Sequence, residues 1–176
     1  MITLRRCSRV VLVLSVGALL TGAREAGEAP VPPAATQQEV AVIGVFSDSQ
    51  GQHGVLLEGK RDRRRFLMLI GAAEATAIAV PLGNITPPRP LTHDLFLTLF
   101  GRLQVSVTKV VITDLRQNTY YATVYLTAGG SRVELDSRPS DAIALAIRAK
   151  VPVFAEERVF EKSGPVPGGA GPGERI

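Results

Sequence analysis

One stretch of this chain recurs 67 residues further on, and the recurrence limits the fold more than any compositional figure. Residues 65–80 read RFLMLIGAAEATAIAV, and residues 132–147 read RVELDSRPSDAIALAI. In register, Glu74 falls on Asp141, Ala75 on Ala142, Ala77 on Ala144, Ile78 on Leu145 and Ala79 on Ala146. The segments upstream match as well: Val55 to Glu58 on Ala122 to Tyr125, and Ile43 to Val45 on Val110 to Ile112. An internal repeat constrains architecture before local propensity does. Two copies of one unit commonly pack about a pseudo-twofold axis, so equivalent residues can converge on a shared cleft. Here they are carboxylates at two helix starts.

The local pattern gives each copy the same order. Val40 to Phe46, Val55 to Glu58 and Arg65 to Ile70 read as strands separated by turn formers, and Gly71 breaks the last. Ala72 to Leu82 reads as an alanine-rich helix ending near Pro81. In the second copy, Val105 to Thr113, Tyr120 to Thr127 and Ser131 to Asp136 are the strands. A helix from Pro139 to Lys150 follows, with Val151 to Phe154 as a short closing strand. Ala142 to Ile147 is apolar on every side, so that helix is expected to be buried. Between the copies, Leu91, Leu95, Phe96, Leu99, Phe100 and Leu103 recur at helical spacing. This connecting helix is expected to start with Thr92 as N-cap and to pack its apolar face on the sheet. The expected fold is α+β: a duplicated strand-strand-strand-helix unit around a mostly antiparallel sheet that can close into a barrel.

At 176 residues the chain has room for one domain with a real core. The sequence pI of 9.6 invites a nucleic-acid reading, but the first residues create most of it. Arg5, Arg6 and Arg9 precede an apolar run from Val10 to Leu20, with no acid before Glu25. That is the pattern of a secretory signal, and Thr21-Gly22-Ala23 offers a cleavage site after Ala23. Removing residues 1–23 takes away three arginines and no acid, so the net charge of +4 falls to +1. Cys7, the only cysteine, leaves with it. The organisation expected is a signal over 1–23, a flexible linker over 24–38, a folded domain over 39–162 and a disordered tail over 163–176. Export to the periplasm or outside the cell follows, with no stable membrane span after cleavage. An uncleaved signal acting as an anchor is the alternative.

No phosphate-binding glycine loop, zinc-ligand pair, His-Glu-x-x-His or Gly-x-Ser-x-Gly string is present. Polar residues gather instead where strands meet helices: Glu74; Arg89, Thr92, His93 and Asp94; Asp114; Asp136, Arg138, Ser140 and Asp141. Each has a structural explanation. A carboxylate in a first helical turn is favoured by about 0.3–1 kcal/mol through the helix dipole, and Arg138 can simply pair with a neighbouring acid. The basic run Lys60, Arg61, Arg63, Arg64 and Arg65 reads as a solvated turn. The combination is less ordinary. Arg89-Pro90-Leu91-Thr92-His93-Asp94 and Arg138-Pro139-Ser140-Asp141 both set an Arg-Pro before a hydroxyl residue and an acid. Arginine with carboxylates and helix N-terminal amides can hold a phosphate or a divalent ion.

The strings RPLTHDLFLTLF, VVITDLRQNTYYATVYL and VELDSRPSDAIALAIRAKVPVF resemble the bifunctional nuclease family, a DNase/RNase-type domain of bacteria and plants. The resemblance covers about residues 40–164. It implies a compact α+β domain, activity on DNA and RNA, and a tendency to form homodimers. By motif it carries over Thr92, His93 and Asp94 from the first string, and Asp136, Arg138, Ser140 and Asp141 from the third. Glu74 matches the family's helix-start glutamate. The chain departs from the pattern at Leu67-Met68-Leu69-Ile70-Gly71, where the family tends to show Pro-Ile-Trp-Ile-Gly.

The function expected is hydrolysis of phosphodiester bonds in DNA and RNA, assisted by a divalent metal such as Mg²⁺ or Mn²⁺. His93, Asp94, Arg138 and Asp141 are the expected catalytic residues. Arg89, Thr92 and Ser140 are expected to bind substrate, and Glu74, Asp136 and Asp141 the metal. The competing expectation is a non-catalytic binding or assembly module in which the Arg-Pro-Ser-Asp motif is structural. Exposure of these residues in one cleft, or burial in mutual pairs, discriminates between the two.

Overall fold

The computed structural model describes residues 37–164 and residue 166. The expected signal, nearly all of the linker and most of the tail lie outside those residues. Strands β1 (Gln37–Ser47), β2 (His53–Gly59) and β3 (Arg65–Ile70) form an antiparallel meander that leads into helix α1 (Ala72–Leu82). Helix α2 (Thr92–Arg102) follows. Strands β4 (Val105–Arg116), β5 (Thr119–Ala128) and β6 (Ser131–Ser137) then form a second meander and lead into helix α3 (Pro139–Ala149). Strand β7 (Val153–Glu156) and helix α4 (Glu157–Ser163) come last.

One seven-stranded sheet results, in the order β3-β2-β1-β7-β4-β5-β6. Strand β7 joins the two meanders, antiparallel to β1 and parallel to β4, and this β4–β7 ladder is the only parallel one among the described residues. No ladder joins β3 to β6, so the sheet is open rather than a closed barrel. Its two ends nevertheless approach at Tyr120, whose hydroxyl lies 3.3 Å from the Leu67 carbonyl and 3.0 Å from Ser163 Oγ.

Alternation explains which face is buried. Val110 and Ile112 of β4 and Ala122, Val124 and Leu126 of β5 face one side, where they meet α3, while α1 lies against β1 and β2. The helices can approach each other closely because their buried positions are mostly alanine: Ala75 and Ala77 in α1, and Ala142, Ala144 and Ala146 in α3. Phe66, Leu57, Ile78, Ile112 and Ile143 are fully buried there. Each contributes about 1.5–3 kcal/mol by leaving water.

Four expectations change. Thr92 is not the N-cap of α2; Leu91 is, and the Asp94 carboxylate accepts its backbone N–H at 2.8 Å. Most of the apolar face expected of α2 does not pack on the sheet. Leu97 and Phe100 pack against the core, whereas Leu95 is 65%, Phe96 48%, Leu99 49% and Leu103 62% exposed. Five apolar residues on eleven positions, with Leu103 just beyond, exceed what one contact face can cover, so one apolar face is left in solvent. Strand β1 begins at Gln37, inside the stretch expected to be linker, because Gln37 and Gln38 pair with Glu156 and Ala155. Residues 157–163, given no structure by the sequence, form α4, with Val159 and Phe160 buried and Lys162 paired to the buried Asp114 at 2.6 Å. Among the described residues no helix is long and apolar enough to cross a membrane.

Candidate active site

The first turns of α1, α2 and α3 line one cleft of about 580 Å³. Helix α1 supplies Glu74, α2 supplies Thr92 and His93 with Pro90 and Leu91 just ahead, and α3 supplies Arg138 and Asp141. Neither α1 nor α3 has a side-chain cap, so their first-turn amides are left unclaimed by side chains. A helix N-terminus carries about half a positive charge. Three such ends therefore meet at a pair of carboxylates.

Arg138 bridges those carboxylates. Its Nε donates to Asp141 Oδ2 at 2.7 Å and its Nη2 to Asp141 Oδ1 at 3.2 Å, a bidentate pair, while Nη1 lies 2.9 Å from Glu74 Oε1. His93 Nε2 lies 3.1 Å from Asp141 Oδ1. Desolvation pushes the Asp141 carboxyl upward, but hydrogen bonds from Arg138 and His93, with their charges, outweigh it, and its pKa falls below the ordinary carboxylate value. Asp141 foremost, and Glu74 after it, raises the pKa of the Arg138 guanidinium. Gly71 makes room for this arrangement, since a Cβ there would collide with Glu74 Oε2.

The His93 side chain is 13% exposed and that of Arg138 66%. With Nε2 committed to Asp141, the imidazole has Nδ1 left for proton exchange. Arg138 keeps one unpaired N–H on each terminal nitrogen. The arrangement can therefore hold an anion beside a histidine oriented by an ionised aspartate.

A second depression, of about 440 Å³, shares Glu74 and Arg138 as its wall. Ser140 lines it, beside Leu69, Ile70, Asn118 and Tyr120. Leu69, at the position where the resemblance expects tryptophan, is 69% exposed.

Other expected residues are placed differently. Arg89 is exposed, next to Pro90 at the rim, and makes no ion pair among the described residues. Asp94 does not line the cleft; its Oδ1 accepts from Arg148 Nε at 2.7 Å. Asp136 does not join Glu74 and Asp141. It pairs with Thr123 in the register where its neighbour Leu135 opposes the core residue Val124, so its side chain points to the sheet face away from the helices. The expected metal-ligand trio is thus not assembled. Among the described residues no group of three or more histidine, cysteine or acidic side chains could hold a metal ion. The two carboxylates that do converge already share a guanidinium, a donor set that suits an arginine rather than a divalent ion.

The basic run is absorbed as well: Lys60 pairs with Glu39, Arg61 and Arg64 with Glu157, and Arg63 and Arg65 with Glu58. It is not a free positive patch. One residue that matters was missed from the sequence, Arg148, whose side chain is only 6% exposed. A lone arginine in the apolar run of α3 was the available signal.

Comparison with known proteins adds independent findings. A model of the bifunctional nuclease domain matches residues 55–167. An uncharacterized protein of Mycobacterium tuberculosis strain H37Rv is 38% identical over 127 residues, covering 72% of this chain and 76% of that protein. Bifunctional nuclease 1 of Oryza sativa subsp. japonica is 33% identical over 122 residues, 66% of this chain and 37% of the rice protein. Bifunctional nuclease 2 of Arabidopsis thaliana is 27% identical over 106 residues, 57% of this chain and 32% of the plant protein.

Proposed function

The chain belongs to the bifunctional nuclease domain family, and from that premise we propose that it hydrolyses phosphodiester bonds in DNA and RNA at the cleft between α1, α2 and α3. The observation that carries the proposal is the His93–Asp141–Arg138 constellation at three helix N-termini. Arg138 is one positive charge against two carboxylates, so the side chains alone repel a phosphate. The helix ends offset that deficit, and Arg89 adds a positive charge at the rim.

In this reading the phosphate sits against the free N–H groups of Arg138 and the first-turn amides, with the Thr92 hydroxyl within the same cleft and Ser140 across the shared wall. His93 Nδ1 removes a proton from water, whose oxygen forms the new P–O bond. The imidazolium, stabilised by Asp141, returns the proton to the departing sugar oxygen. Water rather than a ribose hydroxyl must be the nucleophile if DNA is cut. Divalent metal dependence, with Mg²⁺ or Mn²⁺, belongs to the same proposal, but no step is routed through an ion because no donor set is gathered for one.

The test is an assay of the purified full chain on single- and double-stranded DNA and RNA, with Mg²⁺, Mn²⁺ or EDTA. Cleavage of both polymers is expected in at least one condition. No cleavage in any of them defeats the proposal and favours the assembly reading, which the closed Glu74–Arg138–Asp141 network also fits.

Two further parts belong with this reading. The outward face of α2 is the proposed contact with a second copy. Leu95, Phe96, Leu99 and Leu103 leave about 400 Å² of apolar surface, the size of the largest patch on a typical monomer, which is often functional. Two such faces supply about 800 Å² toward the roughly 1,000 Å² of a specific interface before any rim is counted. Light scattering should give a dimer mass that Leu99→Glu halves; a monomeric parent chain refutes the contact. Export is proposed from the leader, and amino-terminal sequencing of the exported protein should begin at Arg24.

A further inference from the structure

Helix α1 carries a proline at its end, and its consequence reaches the cleft. In an α-helix the carbonyl of residue 77 accepts from the N–H of residue 81. Residue 81 is proline, which has none, so the Ala77 carbonyl is orphaned within its own helix. Arg148 Nη1, from α3, donates to that carbonyl at 2.6 Å and also to Ala144 O at 3.0 Å. Its Nε donates to Asp94 Oδ1 at 2.7 Å, and the other Asp94 oxygen receives the Leu91 N–H at 2.8 Å. One nearly buried guanidinium thus holds all three helices that form the cleft.

We propose that Arg148, acting through Asp94, is a positioning residue that sets His93 against Asp141. The proposal deepens the nuclease reading and rests on it for the catalytic consequence. His93 directly precedes Asp94, and both lie in the first turn of α2, where no other side-chain bond to α3 exists besides His93–Asp141 itself. Asp94 fixes the start of α2 by its cap and fixes its location by Arg148. Without the second contact, the hold on α2 falls to Leu97 and Phe100, packed on the core further along the helix, and the 3.1 Å approach of His93 to Asp141 loses its constraint. A rigid supporting shell matters because a misplacement of about 1 Å can cost about 100-fold in rate.

The experiment reads the histidine directly. The chain has two histidines, so a His53→Gln background leaves one imidazole to observe by ¹⁵N NMR. The parent should show His93 as a single Nε2-protonated tautomer, and Asp141→Asn should abolish that preference and mark complete loss. Arg148→Lys keeps the charge but cannot reach three acceptors, and Asp94→Asn keeps an acceptor for the Leu91 N–H while removing the ion pair. Both should move His93 toward the Asp141→Asn spectrum and lower kcat by about 10- to 100-fold with little change in KM. The milder Asp94→Asn stays informative if Arg148→Lys does not fold. A folded variant whose His93 spectrum and kcat match the parent overturns the proposal, because a merely structural clamp would lower Tm alone. If the parent cleaves nothing but the tautomer still follows Arg148, the nuclease reading fails while the positioning role stands.

Discussion

Asp141 carries the sharpest contrast between a structural and a chemical role. It accepts a bidentate pair from Arg138 and contacts His93, yet its side chain is 30% exposed, so solvent screens what the pair contributes. Asp141→Asn should therefore cost about 1–2 kcal/mol, less than the 3–5 kcal/mol of a fully buried broken pair, while nuclease activity is lost. Chemical denaturation and activity on one preparation check both. The sign of the pH effect follows from the depressed carboxyl values. Asp141 and Asp94 titrate lower in the fold than in the unfolded chain, and Asp62 is held at about 2, chiefly by its hydrogen bond from Arg64. Their stabilisation is complete above the ordinary value of 3.8 and is lost as pH falls through the folded values. Melting curves from pH 7 to pH 2 should show this acid limb, shallower in Asp141→Asn. Glu74 and Asp141 were legible as first-turn carboxylates of two helices, and it is the fold that brings both to the cleft. The shared arginine was foreshadowed only as a local pair. Arg148 was not read at all, because a basic residue in the last turn of a helix already has an explanation in the helix dipole.

At the scale of elements, α1, α3 and the two three-strand meanders were readable because alternation and alanine-rich helical runs give strong periodic signals. Two helices were misread or missed for different reasons. In α2 the helical spacing grouped Leu95, Phe96, Leu99, Phe100 and Leu103 on one face, whereas the residues used inward are Phe100 and Leu97, which that grouping left out. Helix α4 spans seven residues, too few to show a period, and its charged surroundings resemble a tail. Its tertiary contacts are nevertheless substantial: Val159 is 0% and Phe160 7% exposed, Phe160 meets Phe66 edge-on at 5.1 Å, and Lys162 neutralises buried Asp114. Truncation after Glu156 should cost about 3–6 kcal/mol from the two apolar side chains alone. A fall in Tm of many degrees is the expected outcome. An unchanged Tm would mean that α4 only rests on the sheet.

For the whole molecule, the α+β class and antiparallel meanders were legible, whereas the strand order was not. Strand β7 is four residues long and sits between the halves, pairing with β1 on one side and β4 on the other, and no local signal announces such a crossover. It also makes the halves depend on each other. Residues 104–163 alone would expose one edge of β7 and the α3 face that meets α1, so this fragment should aggregate or lack a cooperative thermal transition. A soluble monomer with a sharp melt would contradict that. Deleting residues 1–36, read from the sequence as signal and linker, should leave Tm nearly unchanged; carrying the deletion through Gln38, which is buried and bonded to Asp62, should lower it. In the proposed mechanism this assembled cleft hydrolyses nucleic acid through His93. The most direct measurement is kcat/KM of the full chain and its His93→Gln variant on fluorogenic DNA and RNA oligonucleotides, with Tm taken on the same samples. The account predicts a loss of about 100-fold or more on both polymers with Tm nearly unchanged, and a folded His93→Gln protein cleaving at the parent rate would contradict it.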